Sequence, residues 1–263
     1  MNGNVWIRGG NMKACFMTDV GKVRSNNEDS GGIFRNKSKQ VLAVVADGMG
    51  GHAGGEIASQ LATQIVQDKW EKTEGFQTAA NIEQWISETV SEANQIVYKE
   101  SKEKADLEGM GTTLVLAACM EEFITVAHIG DSRCYLSNEG GLKQLTEDHS
   151  LVNELLRAGQ ISPDDAAYHP RKNVVSRALG TDKAVKSDIQ TIGWEYGDKI
   201  LLCSDGLTDK VHADELAEFL GKDEAISEIG EQLVDLANGR GGEDNISLAI
   251  VHYDWTARAG ENE

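Results

Sequence analysis

Antiparallel sheets packed against amphipathic helices, an α+β fold, are what this sequence predicts, and three features carry that expectation. From Gly111 onward the apolar segments are short and separated by tight polar turns, a spacing that suits hairpins better than alternating βα units. Upstream, Val41 to Ala46 is an unbroken, Val-rich run followed by glycines, the pattern of a strand buried on both faces. Between these regions apolar residues recur every three or four positions over two long stretches, each marking a helix with one buried stripe.

Taken in order, residues 1–11 are polar and glycine-rich and are read as a leader or alternative start outside the fold. Lys13 to Thr18 alternates as a first strand, closed by a turn at Asp19 to Lys22. The polar cluster Arg24 to Asp29 follows, then a short strand at Ile33-Phe34 and the central strand from Val41. A helix is predicted over Glu56 to Trp70, where Ile57, Leu61, Ile65 and Trp70 share a stripe, and a longer one over Thr78 to Lys102. Strands are expected at Thr112 to Ala118, Phe123 to Ile129, Arg133 to Ser137 and Leu142 to Leu145. The segment from about Thr146 to Arg177 reads as a polar insertion with short helices at Leu151 to Ala158 and Pro163 to Ala167. Strands resume at Asp188 to Ile192 and Lys199 to Cys203, helices at Asp214 to Leu220 and Glu224 to Asn238, and a last strand at Ile246 to His252. No linker divides the chain, so residues 12–254 are expected to form a single domain, with 255–263 a polar tail.

Composition narrows the function classes. A formal charge of −18 opposes every encounter with a polyphosphate backbone, which argues against nucleic acid as a partner. The four cysteines lie inside apolar runs without C-x-x-C spacing and are read as reduced core thiols. No apolar run approaches the roughly 18 to 20 residues that cross a bilayer, and the N-terminus has no signal-like apolar core. A cytoplasmic, monomeric protein without a membrane partner is the expectation.

The chemistry is written in the ends of the strands. Val41 to Ala46 ends in Asp47-Gly48, Ile200 to Ser204 ends in Asp205-Gly206, Val126 to Gly130 ends in Asp131, and Asp244 stands just before Ile246 to Val251. A lone Asp-Gly pair is usually a turn. Four carboxylates at strand ends, however, would share one rim if those strands were neighbours in a sheet, and they repel unless divalent cations sit among them. Carboxylates with the Gly48 carbonyl are a donor set for Mg²⁺ or Mn²⁺, and the lack of His-x-x-x-His or paired cysteines speaks against zinc. Gly48-Met49-Gly50-Gly51-His52-Ala53 also matches a dinucleotide fingerprint, but Asp47 beside the first glycine would repel a pyrophosphate. His52, near the mouth of such a site, suits a general acid because its ordinary pKa of about 6.5 lets it donate at neutral pH. Arg24 would ordinarily be a solvated ion pair with Glu28; beside a metal rim its planar fork suits two oxygens of a phosphate. No cysteine is followed six positions later by arginine and no G-x-x-x-x-G-K-[S/T] loop is present, which excludes cysteine-phosphatase and P-loop chemistry.

Together these motifs resemble the metal-dependent protein phosphatase family, type 2C, of the compact bacterial kind. The resemblance runs from about Met12 to His252 through Arg24-Ser25-Asn26-Asn27-Glu28-Asp29, Ala46 to His52, Gly111-Thr112-Thr113, Gly130-Asp131-Ser132-Arg133, Ser204-Asp205-Gly206-Leu207 and Asp244-Asn245. It implies a four-layer α-β-β-α sandwich, two antiparallel sheets flanked by helix pairs, with the insertion at about 146–177 as a flap. It implies that Arg24 grips phosphate, that Glu28 ligates one metal, and that Asp47 bridges two. Gly48 would contribute its carbonyl and His52 would be the acid. Asp205 and Asp244 would complete the first metal site, and Asp131 with Asp205 would hold a third, weaker ion. The reaction implied is hydrolysis of phosphoserine and phosphothreonine in proteins by direct attack of water activated between two Mn²⁺ or Mg²⁺ ions, with no covalent phosphoenzyme. Substrates of a cognate serine/threonine kinase, and the kinase itself, are the implied partners. An inactive phosphoprotein-binding adaptor on the same scaffold is the alternative, and it should have lost one of Asp47, Asp205 or Asp244. His149 and Arg171 in the flap are weighed as substrate contacts against a structural role.

Overall fold

The computed structural model describes residues 5–9, 12–50, 53–162, 165–166 and 169–254, the first of these by backbone alone. Its elements form four layers. One sheet has the strand order β1 (Val5–Gly9), β2 (Met12–Asp19), β12 (Ile246–Tyr253), β11 (Lys199–Cys203), β8 (Arg133–Asn138) and β9 (Gly141–Gln144). The other runs β10 (Asp188–Gly193), β7 (Phe123–Ile129), β6 (Leu114–Cys119), β4 (Val41–Met49) and β3 (Asp29–Arg35), with the two-residue β5 (Gly111–Thr112) paired to the end of β4. All pairings are antiparallel.

Alternation along β4 shows how the layers are built. Side chains of successive strand residues point to opposite faces. Val41, Ala43 and Val45 enter the core between the two sheets, while Leu42, Val44 and Ala46 face the helices α1 (Gly54–Trp70) and α2 (Ala79–Glu103) together with Val66, Trp70, Ile82 and Ile86. The other sheet does the same: Ile200 and Leu202 of β11 face inward, whereas Leu201 and Cys203 pack on the outer helices α5 (Ala213–Gly221) and α6 (Ile226–Gly239) through Leu216, Ile229 and Leu233. Each fully buried Val or Leu contributes roughly 1.5–3 kcal/mol, so a charge at Val44 would break the sheet from its helices. The same alternation carries Asp47 onto the inter-sheet side at the end of β4.

Three differences from the sequence reading have physical causes. Val5–Gly9, within the residues 1–11 read as a leader, pairs with β2 from Val5 opposite Phe16 to Gly9 opposite Met12, and its Val-Trp-Ile run is of strand-forming residue types. The acidic strand ends do not share the rim of one sheet. Asp47 ends a strand of one sheet while Asp205 and Asp244 adjoin strands of the other, and the face-to-face packing of the two sheets brings their ends together. The segment after β11 turns at once into a short helix, α4 (Asp205–Thr208), where an acidic strand end alone was expected.

The insertion contains α3 (Leu151–Arg157), whose N-cap Ser150 accepts from the Asn153 N–H at 3.3 Å. Its two stems meet in an isolated antiparallel bridge between Ser150 and Val175. The helix expected at Pro163 to Ala167, the tail at 255–263 and the leader residues 1–4, 10 and 11 lie wholly or partly outside the described residues. Among those described, no helix is long and apolar enough to cross a membrane.

Candidate metal centre and active site

At the end of the sandwich where β4 and β11 finish, Arg24, Glu28, Asp47, Gly48, Asp131, Asp205 and Asp244 line one cleft of about 320 Å³. Residues separated by up to 220 positions thus meet, and the insertion supplies part of the wall through Asn173 and Val175. His52 lies outside the described residues. Of the flap residues weighed as substrate contacts, His149 is buried away from the cleft in a structural network, and Arg171 is exposed on the insertion.

Backbone and side-chain hydrogen bonds fix the acids one by one. The Asp47 N–H donates to Thr113 Oγ1 at 2.9 Å, and Asp47 O accepts from the Thr113 N–H at 2.8 Å and from Thr112 Oγ1 at 2.9 Å. Asn245 ties the loop carrying Arg24 and Glu28 to the strand that follows Asp244. Its Oδ1 accepts the Glu28 N–H at 2.8 Å, and its Nδ2 donates to Val20 O and Asn26 O, both at 2.9 Å. Asp244 accepts the Asn245 N–H on Oδ1 at 2.9 Å and Arg24 Nη2 on Oδ2 at 2.8 Å. Asp29 stands directly opposite Asp47 in the β3–β4 register and accepts Ser204 Oγ on Oδ2 at 2.9 Å. An added Cβ at Gly55 would stand 2.7 Å from Glu28 Oε2 and 2.9 Å from Gly48 O, so that glycine lets both oxygens crowd the start of α1.

The electrostatics of the cleft are dominated by like charge. Burial, reinforced by its acidic neighbours, pushes Asp131 up to about 7. Asp29 likewise rises to about 7 and Asp205 to about 6, and Asp47, facing Asp29, Asp205, Asp131 and Asp244, is held well above the usual carboxylate range by burial and then by those charges. Glu28 is raised by burial against the pull of Arg24. The Asp47 and Asp205 carboxyls line the same cleft and repel one another, a cost that two ionised carboxylates carry until a cation comes between them.

This donor set fits hard divalent ions. It consists of carboxylate and carbonyl oxygens, the ligands of Mg²⁺ and Mn²⁺. Asp29 Oδ1, buried opposite Asp47, has no hydrogen-bond partner among the described residues, as an oxygen serving an ion or its water shell would not. Arg24 is the one cation lining the cleft among the described residues. The sequence reading passed over Asp29, Asn245 and Thr113. Each adjoins or lies inside a motif that was read, but the pairing partners that give them their work are far away in the chain.

A second group also has ligand-capable atoms close together: His128, His149 and Asp188 lie within 4.8 Å of one another. Its hydrogen bonds are already complete. His149 Nδ1 accepts the Gly130 N–H at 3.1 Å, which leaves the ring proton on Nε2, 3.2 Å from Asp188 Oδ2. Arg177 Nη1 stands 3.1 Å from that Nε2 and donates to Asp188 Oδ1 at 3.0 Å, where a metal would have to sit. A ligating Nε2 would move the proton to Nδ1 and set it against the Gly130 N–H, so this cluster reads as a structural network.

Comparison with known proteins agrees with the cleft. Residues 22–241 match the model of the family described as protein phosphatase 2C. The serine/threonine phosphatase stp of Listeria monocytogenes serotype 4b (strain F2365) is 46% identical over 247 residues, covering 94% of this chain and 98% of that one. The crystal structure of the serine/threonine phosphatase Stp1 from Staphylococcus aureus superposes with a TM-score of 0.88 at 38% identity, covering 96% of this chain and 99% of that one. The catalytic domain of the serine threonine protein phosphatase PstP, solved in complex with 2 manganese ions, gives a TM-score of 0.80 at 34% identity over 92% of this chain and 97% of its own. A family match over most of the length, a shared four-layer fold and a cleft of converging carboxylates place this chain in the protein phosphatase 2C family, as a metal-dependent protein phosphatase.

Proposed function

We propose that the cleft hydrolyses phosphoserine and phosphothreonine in proteins by direct attack of water on phosphorus, without a covalent phosphoenzyme. The observation that carries this reading is the convergence of Glu28, Asp47, Asp131, Asp205 and Asp244 beside Arg24. Glu28, Asp47, the Gly48 carbonyl, Asp205 and Asp244 would hold two Mn²⁺ or Mg²⁺ ions, and Asp131 with Asp205 a third, weaker one. Bound there, such ions would acidify a shared water and screen the charge of the phosphoryl group.

The chain's own residues do the rest. Arg24 is exposed at the cleft and spends one of its five donors on Asp244, so the fork can hold phosphoryl oxygens while staying anchored. His52, five positions beyond Asp47 in sequence, is assigned the proton that the departing serine or threonine oxygen needs, a step worth roughly a hundred- to ten-thousandfold. Asn245 and Thr113 hold the Glu28 and Asp47 backbones in register. A cysteine nucleophile has no place in this scheme: all four thiols are buried, and burial pushes Cys15 and Cys203 up to about 12. An adaptor should lack one of Asp47, Asp205 or Asp244, and all three line the cleft.

A phosphothreonine peptide assayed with Mn²⁺ and then with excess chelator tests the reading. Turnover that requires the ion is expected, and turnover indifferent to chelator rejects it. Replacing His52 with alanine should slow the peptide far more than an aryl phosphate, whose leaving group needs no proton; equal losses would take the acid role from His52. The resemblance alone supports a partnered serine/threonine kinase and its substrates as the targets; a monomer working in the cytoplasm is carried over from the composition and the lack of a bilayer-length apolar run.

A further inference from the structure

We infer that His149 is a positioning residue for the metal-facing turn that carries Asp131, and that it acts through its Nδ1 atom. The inference rests on the reading of Asp131 as a metal ligand given above.

The turn between β7 and β8 runs Gly130-Asp131-Ser132, and it is held on two sides. On one side it presses on Thr113. Gly130 adopts φ +102°, and a Cβ there would stand 2.6 Å from Thr113 Cγ2, so neither the backbone angle nor the space admits another residue. Thr113 Oγ1 lies 2.8 Å from Ser132 Oγ and takes the Asp47 N–H at 2.9 Å. On the other side both peptide groups of Gly130 are taken by one residue. The Gly130 N–H donates to His149 Nδ1 at 3.1 Å, and Gly130 O accepts the His149 N–H at 2.9 Å. His149 therefore pairs with Gly130 as a strand neighbour would, with its ring nitrogen in the place of a carbonyl.

That ring is fixed in three further ways. It is 7% exposed, it stacks on His128 with centroids 4.6 Å apart and planes 15° apart, and its Nε2 faces Asp188 Oδ2. His149 O also accepts the Ser176 N–H at 2.8 Å, so the residue joins both stems of the insertion to the turn. A continuous path of contacts then runs from Asp47 through Thr113 and the Gly130 turn to His149 and the base of the insertion. An Asp131 carboxylate whose turn is free to tilt would lose its alignment with Asp205, the neighbour it faces.

Two substitutions separate this role from general packing. In His149→Asn the side-chain oxygen stands about where Nδ1 stood and can still accept from Gly130, whereas His149→Gln offers its oxygen near Nε2 and leaves the Gly130 N–H without its acceptor. Loss of such a supporting contact typically costs about 10–100-fold. His149→Gln should lower kcat/KM on a phosphothreonine peptide by about tenfold or more and weaken the lowest-affinity phase of a calorimetric Mn²⁺ titration, with the tighter binding kept. His149→Asn should restore both to within about threefold. In an Asp131→Ala background, His149→Gln should add less than about a twofold loss, because a residue acting through another has nothing left to position. Thermal midpoints of all variants establish that each is folded. Equal losses in the Asn and Gln variants, or a full Gln loss persisting without Asp131, would overturn the inference. A Mn²⁺ titration unchanged in Asp131→Ala alone would instead remove the ligand reading of Asp131, and the role of His149 with it.

Discussion

Two groups of side chains with metal-ligating atoms lie close to one another in this fold, and they solve opposite problems. The cleft gathers Glu28, Asp47, Asp131, Asp205 and Asp244 beside Arg24, with Asp29 opposite Asp47 in the neighbouring strand, and burial and mutual repulsion raise Asp29, Asp47, Asp131 and Asp205 above the usual carboxylate range. The group at His128, His149 and Asp188 has the tighter cluster of ligand atoms, yet its polar contacts are closed by Gly130, Glu147 O and Arg177. Proximity alone would select the second group. Unmet charge selects the first. A metal centre is marked by acids that the protein leaves uncompensated, and the number of ligands within reach is a poorer guide.

The largest effect that would test this contrast is the loss of Asp47. Asp47→Asn removes the carboxylate facing four other acids, so Mn²⁺ binding should fall sharply in calorimetry and kcat/KM on a phosphothreonine peptide by about 10³-fold, the scale of a lost preorganised electrostatic contact. Asp188→Asn should leave Mn²⁺ stoichiometry unchanged. If the two variants exchanged these outcomes, the assignment of the clusters would be reversed.

Next in size is the pH dependence of the chelated protein. Asp29 and Asp131 near 7 and Asp205 near 6 lie above the roughly 3.9 of an unfolded aspartate, so in that window the folded chain binds more protons than the unfolded one. Stability must then fall as pH rises through these values. With chelator present, the thermal midpoint should climb between about pH 8 and pH 5.5, and Asp131→Asn should flatten part of that slope. Excess Mn²⁺ competes with protons for the same oxygens, so the stabilisation it adds should be greatest at pH 8 and shrink on acidification. A chelated protein whose midpoint is level across this range would contradict the picture of uncompensated acids.

The sequence made the cleft legible because each acid sits where a strong local pattern stops. Val41 to Ala46 reads as a buried strand, so Asp47 is conspicuous at its end, and the same holds for Asp205 after Ile200 to Cys203. What local patterns do not encode is which sheet a strand joins. Whether the acidic ends share the rim of one sheet is therefore open in the sequence, and pairing sends β4 and β11 to different sheets. For the same reason Asp29 and Asn245 were passed over. Asp29 matters because it faces Asp47 across β3 and β4, and Asn245 because it reaches 217 positions back to Glu28. The edge strand Val5–Gly9 does carry a local signal in Val5, Trp6 and Ile7, but three residues between glycine- and asparagine-rich neighbours are too short a run to stand out from a polar leader.

The smallest effect sharpens the contrast most, because its sign is opposite. The Asp188 carboxyl is raised by burial, but hydrogen bonds from His149 and Arg177 outweigh this and hold it below its usual value. A depressed folded pKa contributes stability that is present above the unfolded pKa and is lost as pH falls through the folded one. Asp188 is 50% exposed and Arg177 39%, so solvent screens the pair and the contribution should be about 1 kcal/mol or less. Asp188→Asn should therefore lower the thermal midpoint by a few degrees or less at neutral pH, with the difference from the parent constant down to about pH 5 and vanishing below about pH 4. Acid thus relieves the metal cleft over the range in which the Asp188–Arg177 pair does not change, and it weakens that pair only where the cleft is already protonated. A difference between Asp188→Asn and parent that grew on acidification would mean that Asp188 is an uncompensated acid too, and the two clusters would no longer be of different kinds.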